Sequence, residues 1–202
     1  MTALKPTDDE LLSAMLGGDE EALATLYRRR QGGIYRFALQ MSGSPALSED
    51  VTQEVFMILM RDGVTYDSAR GSLSAFLFGV ARNLVRQRLG REQLYVSIDD
   101  DGGGAMDEFH GADSPLDELS RDETIESVRR AILSLPARYR EVIVLCELQE
   151  LSYAEAASAL DCAIGTVRSR LHRARAMLIE RMRPATAEEP AADSVKQARC
   201  FA

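Results

Sequence analysis

LSYAEAASALDCAIGTVRSRLHRARAMLIERM, residues 151–182, reads as two helices joined by a short turn. Ser152 followed by Glu155 is a capping box, so the first helix should start at Ser152. Ala154, Ala156, Ala157 and Ala159 favour helix. Asp161, Cys162 and Gly165 mark the turn region. In the second helix Val167, Leu171, Ala174 and Leu178 recur at spacings of three and four and should face a core. Arg168, Ser169, His172 and Arg173 then fall on the opposite side. Such groups donate to phosphates and base edges, and an arginine can bridge both acceptors of a guanine. With Arg170, Arg175, Arg181 and Arg183 close by and Glu180 as the one acid of the second helix, the segment has the layout of a helix-turn-helix with a basic second helix. A solvated amphipathic surface is the alternative for those arginines alone, but not for the whole helix, turn and helix together.

The chain around it is acidic overall, with 202 residues and a formal net charge of -8. That length suits one domain or two. No apolar run approaches the roughly 20 residues needed to span a bilayer. The first residues, MTALKPTDDELL, lack the basic-then-apolar layout of a secretory leader, so a cytoplasmic protein is expected. Cys146, Cys162 and Cys200 are far apart and odd in number, which argues against a disulfide framework or a zinc site. Cys146 lies in the apolar run VIVLCEL and reads as a core residue. His110 and His172 are too few for a histidine-rich metal site. There is no P-loop, no GxSxG and no paired-histidine motif. No catalytic residue, metal or cofactor is expected.

Charge divides the chain. Residues 1–93 are nearly balanced, residues 94–123 hold one basic and ten acidic groups, and residues 124–183 carry a net charge of +3. The acidic stretch SIDDDGGGAMDEFHGADSPLDEL has little apolar periodicity and reads as a flexible, self-repelling linker. Ahead of it every segment reads as helix: residues 8–16, then 19–30 with an apolar stripe continuing through Ile34, Phe37, Ala38 and Met41. Ser44-Pro45 is a cap followed by proline at the first helical position, opening a helix to about Arg61. Residues 66–71 form a loop, and Ser72 caps a helix running to about Arg91. The fold class is all-α: two small helical domains, residues 7–93 and 121–183, joined by a linker over 94–120 and followed by a tail over 184–202.

Three ordered motifs, SEDVTQEVFMILMRD, YDSARGSLSAFLFGVARNLVRQR and LPARYREVIVLCELQELSYAEAASALDCAIGTVRSRLHRARAML, resemble the small extracytoplasmic-function (ECF) group of sigma-70 family RNA polymerase sigma factors. The resemblance covers nearly all of residues 7–183. It implies a promoter-melting domain (region 2), a helix-turn-helix domain (region 4) and no folded domain between them. It also implies a protein that binds bacterial core RNA polymerase, through the β′ clamp helices and the β flap, and directs promoter-specific initiation without being an enzyme. A stand-alone helix-turn-helix regulator is the alternative, one that would bind duplex DNA without polymerase.

Site residues follow from that resemblance. The DxxQExF pattern, here Asp50, Gln53, Glu54 and Phe56 with Met57 beside them, corresponds to the helix that grips the clamp helices. By spacing alone, Asp50, Gln53, Glu54 and Met57 share one helix face while Val51, Val55, Ile58 and Leu59 can point inward. The segment SLSAFLFGVARNLVRQR corresponds to the part that captures the -10 element as a single strand, with Arg82, Asn83, Arg86 and Arg88 on one helix. The loop containing Tyr66, Asp67 and Arg70 corresponds to the family's specificity loop for a flipped base. Most relatives carry Trp near Phe76, whereas this chain has none, so Phe76 and Phe78 are either base-stacking or core residues. Arg168, Ser169, His172 and Arg173 correspond to the readers of the -35 element, with Thr166 and Arg175 on phosphate. The linker is either an imitation of a phosphate backbone within the polymerase or a charged spacer. The resemblance further implies an anti-sigma factor, with membrane contact only through such a partner. The tail ending in Arg199-Cys200-Phe201 reads as a regulatory or redox extension or as a disordered terminus.

Overall fold

The computed structural model describes the backbone of residues 5–99 and 116–182 and the side chains of residues 5–90 and 124–182. The middle of the acidic stretch, Arg183 and the tail with Cys200 lie outside the described residues. Eight α-helices follow in order: α1 (Asp8–Leu16), α2 (Glu20–Ser42), α3 (Pro45–Asp62), α4 (Leu73–Asp99), α5 (Leu116–Leu133), α6 (Ala137–Ile143), α7 (Tyr153–Leu160) and α8 (Ile164–Met182). There is no strand among the described residues.

Local chemistry accounts for most helix ends. The Thr7 hydroxyl accepts from Glu10 N while the Glu10 carboxylate accepts from Thr7 N, closing a capping box on α1. Asp19 caps α2 by accepting from the amides of Glu21 and Ala22. Gly43 ends α2 with φ of +74°, its amide donating to Leu39 O at 2.8 Å. Ser44 caps α3, with Pro45 in the first turn. Ser152 and Glu155 form the expected box on α7. Asp161 ends α7 at φ +50°, a conformation that aspartate tolerates better than bulkier residues.

Three boundaries differ from the sequence expectation. Helix α4 continues past Arg91 to Asp99, and α5 begins at Leu116, so helix enters both ends of the acidic stretch. Gly165 lies in the first turn of α8, so the turn is confined to residues 161–163. The chain after α6 winds into a π-helical turn, Val144–Leu148. That wider turn leaves Glu150 at a left-handed φ of +56° before α7 starts.

Helix α2 is the hub, packing on α1, α3, α4 and α5. Its residues Leu26, Ile34, Phe37 and Ala38 are fully enclosed, and Phe37 meets Phe78 of α4 edge-on at 5.6 Å. The two helical domains pack against each other, and their buried side chains form one continuous apolar cluster. Arg140 of α6 reaches across, donating to Met41 O at the end of α2 and to the carbonyls of Leu133 and Leu135. Burial holds its pKa below the usual arginine value.

We predict that Phe37→Ala lowers unfolding free energy by about 3–5 kcal/mol, because the cavity cannot collapse between three helices. Arg28→Ala, which removes the exposed Arg28–Glu21 pair, should barely change it. Urea denaturation followed by far-UV circular dichroism measures both.

Candidate nucleic-acid and polymerase interfaces

Helix α8 is positioned by Val167, Leu171 and Ala174, all buried against α6 and α7. Its opposite face presents Arg168, Ser169, His172, Arg173 and Arg175, all exposed, with Thr166 half-buried at its edge. Several of these side chains are held in place. The Arg168 guanidinium lies 5.9 Å from the Tyr153 ring centroid. The nearby Arg173 and Arg138 guanidinium groups hold the Tyr139 phenol's pKa below its usual value. Arg175, expected on phosphate, is paired here with Glu147 at 2.5 Å. Both groups are half exposed, so the pair is weak and can yield to a phosphate.

On α3, Asp50, Gln53 and Met57 are exposed and Glu54 is half-buried, so four of the five expected polymerase-facing residues share one face. Met57, at 62% exposure, is unusually open for an apolar side chain. Gln53 also lines a groove of about 440 Å³ between α2 and α3, bordered by Tyr27, Tyr35 and Arg36. Glu54 is paired with Arg88 of α4 at 2.5 Å. Phe56 corrects the expectation: it is 3% exposed and packs on Tyr27 with ring centroids 4.7 Å apart. Its position two residues after Glu54 turns it into the core, where it supports the face from beneath and offers no surface to a partner.

The expected -10 residues surround a cleft of about 720 Å³ between α4 and α7. Tyr66, Asp67, Arg70, Phe76, Arg82 and Asn83 line one wall, and residues of α7 and the turn, among them Ser158 and Cys162, line the other. Asn83 and Arg86 are exposed. Phe76 is half-buried against Tyr66 at 5.7 Å, open to the cleft, whereas Phe78 is a core residue.

What sequence reading missed is how tightly the cleft is closed. Arg82 Nε lies 2.9 Å from Glu141 Oε1 on α6, an ion pair without hydrogen-bond alignment. The side chains are 14% and 3% exposed. Ser72, the N-cap of α4, donates to Glu155 Oε1 at 2.8 Å. Burial pushes the Glu155 carboxyl up, but the hydrogen bonds from Ser152 and Ser72 outweigh it and hold the pKa low. Such a group stabilises at neutral pH, and the contribution is lost as pH falls through its lowered value. Ser158 Oγ donates to Arg70 O at 3.2 Å. Gly71 has a positive φ of +153°, a backbone conformation that side-chain-bearing residues rarely adopt, and a Cβ there would lie 2.7 Å from Ser158 Oγ. A Cβ at Gly79 would lie 3.4 Å from Ala159 O. No sequence motif announces these contacts, which join residues far apart in the chain.

Comparison with known proteins places these surfaces in context. A family model described as sigma-70 region 2 matches residues 26–94, and one described as sigma-70 region 4 matches residues 125–178. The ECF RNA polymerase sigma-E factor of Escherichia coli K12 is 34% identical over 190 residues, covering 88% of this chain and 95% of that protein. ECF RNA polymerase sigma factor SigE of Mycolicibacterium smegmatis is 31% identical over 185 residues, covering 87% and 69%. The sigma factor RpoE of Bartonella quintana, solved in complex with the anti-sigma factor NepR, superposes with a TM-score of 0.63 at 27% identity, covering 77% of this chain and 93% of that one.

Alanine just fits at position 79, whereas a larger side chain must push α7 back. We therefore predict that Gly79→Leu separates the two halves, raising the radius of gyration measured by small-angle X-ray scattering while helical content is kept. An unchanged radius would contradict the close α4–α7 contact.

Proposed function

The chain belongs to the ECF group of RNA polymerase sigma factors, and on that premise we propose which of its surfaces perform each task. It is a transcription initiation factor that directs promoter-specific transcription and is not an enzyme. The stand-alone regulator falls with that membership.

The face of α3 bearing Asp50, Gln53, Glu54 and Met57 docks on core polymerase, with the groove beside Gln53 receiving a partner side chain. Asn83 and Arg86, with Arg82 and the loop of residues 66–71, take the -10 strand. Arginines follow the displaced strand's phosphates, and the amide of Asn83 reads an unpaired base edge. A base flipped into the loop needs a shaped pocket, because extrusion costs a few kcal/mol. The half-buried Phe76 borders that pocket. Arg168, Ser169, His172 and Arg173 enter the major groove at the -35 element, while Thr166 and Arg175 hold phosphate.

The observation that carries this reading is the row of exposed donors on α8 above the buried Val167, Leu171 and Ala174. The closed cleft adds a condition. Arg82 cannot follow a DNA strand while its charge is spent on Glu141, so promoter opening requires α4 and α6 to part. Core polymerase, by holding the two halves apart, supplies that separation. A protein that works on chromosomal promoters resides in the cytoplasm, and the Bartonella relative's complex supports an anti-sigma partner for this chain as well.

Run-off transcription with purified core polymerase tests the whole reading: promoter-specific starts should appear only when the chain is added. Arg168→Ala should cost about 1–3 kcal/mol and relax preference at one -35 position. Thr166→Ala should instead weaken binding evenly across sequences. Competition between -35 variants in a holoenzyme binding assay separates the two. Replacing Gln53 and Glu54 together should weaken core-polymerase binding about ten-fold or more, read by fluorescence anisotropy.

A further inference from the structure

We propose that Asp9, on α1, is a positioning residue for -10 recognition, holding the loop of residues 66–71 in the shape that meets the displaced base. The proposal rests on the assignment of that loop to the -10 strand. Helix α1 lies outside the matched region 2, residues 26–94, and none of the sequence motifs includes it.

The start of α1 is anchored three times. The Thr7–Glu10 box fixes its first turn. Asp8 accepts from Arg29 Nη1 and from Arg30 Nε, each at 2.6 Å, which ties the turn to α2. Arg29 Nη1 also donates to Pro6 O at 3.0 Å, locking the residues just before the helix. The Asp8 side chain is only 12% exposed, so this clamp is shielded from water and salt more than a surface pair would be. Asp9 is therefore presented from a fixed backbone.

Opposite it stands the Tyr66 hydroxyl, 2.9 Å from Asp9 Oδ1 and 3.1 Å from Gly71 O. With one proton and two acceptors, the hydroxyl links the first residue of the loop to its last and both to α1. Burial, then the neighbouring Asp9, pushes the phenol up to about 12, so it stays a donor throughout the physiological range. The Tyr66 ring rests on Phe76, which lines the same cleft as Asn83. Inside the loop, Asp67 Oδ1 accepts from Ala69 N at 2.9 Å, giving a compact turn with few other ties. Without the Asp9 contact, the tyrosine keeps only Gly71 O as acceptor, and α1 packs on the chain at Gly63–Thr65, just ahead of the loop, with no hydrogen bond to residues 66–71 themselves. A charged acceptor also makes a stronger hydrogen bond than a neutral one, so Asp9 is the firmer of the two partners.

The test uses full-length protein assembled with core polymerase on templates differing at single -10 bases. Asp9→Ala and Tyr66→Phe should each reduce discrimination at one -10 position about five-fold. The double variant should be no worse than Tyr66→Phe, because that change already removes the bond to Asp9 together with the one to Gly71 O. Asp9→Asn, which keeps an oxygen acceptor, should retain most of the selectivity. Affinity for core polymerase and for a -35 duplex should be unaltered in all of them. Selectivity preserved in Asp9→Ala and Tyr66→Phe would overturn the proposal, as would an equal loss at every -10 base, which marks general destabilisation. Should Asp9→Ala fail to fold, Tyr66→Phe and Asp9→Asn decide the outcome alone. Asn83→Ala runs alongside. If Asn83→Ala loses -10 selectivity and Tyr66→Phe does not, only the role of Asp9 is lost. If neither loses it, the assignment of the cleft to the -10 strand is itself wrong.

Discussion

The Glu141 carboxylate is almost wholly enclosed, and the group beside it is the Arg82 guanidinium. Their pairing sets what the rest of the molecule can do. Glu141 sits on α6 amid Tyr139, Val142 and Ile143, in the core that supports the helix-turn-helix. Arg82 sits on α4 next to Asn83, where DNA is expected. One contact therefore joins the stability of the second half to the availability of the arginine we propose for the DNA strand. Replacing water around both charges is expensive. The surrounding contacts, Ser72 with Glu155, Ser158 with Arg70 and Gly79 against Ala159, make the closed arrangement hold together. A polymerase that pulls the halves apart must offset the pair's attraction, but it also lets both charges regain solvent.

The legible parts of this fold were the local ones. Caps, turn residues and the period of three and four placed six of the eight helix starts near their true positions, because those signals act within a few residues. The exceptions are α5, which opens inside the acidic stretch where composition speaks for solvation and gives no cap, and α6, which follows Pro136 with no side-chain cap. The exposed row on α8 was equally plain, since Val167, Leu171 and Ala174 fix which side faces out. Phe56 shows where motif reading fails. It belongs to the DxxQExF pattern in sequence, yet at 100° per residue it lies about 200° round α3 from Glu54 and packs inward on Tyr27. A pattern match assigns a residue to a motif, and only helix geometry assigns it to a face.

The closed cleft was not legible at all. Gly79 and Ala159 are unremarkable in sequence, and their meeting depends on how α4 crosses α7. Composition pointed to two helical domains joined by an acidic stretch, because carboxylates repel and the segment lacks apolar periodicity. Both statements concern the connection. Neither says whether the connected surfaces fit one another, which is a matter of shape. The π-helical turn after α6 was invisible for a similar reason. VLCEL reads only as an apolar core run, and no residue in it announces the wider π-helical winding that keeps Val144 and Leu145 buried.

Glu155 divides its two oxygens between neighbours. Oε2 takes the amide and hydroxyl of Ser152 and so completes the cap of its own helix, while Oε1 takes the hydroxyl of Ser72. Ser72 in turn keeps its own bond from Ala75 N. Breaking the bond between the halves thus leaves each helix start intact. The molecule can unlatch like a book whose covers stay stiff, with no turn of helix melting and no refolding needed when it shuts again.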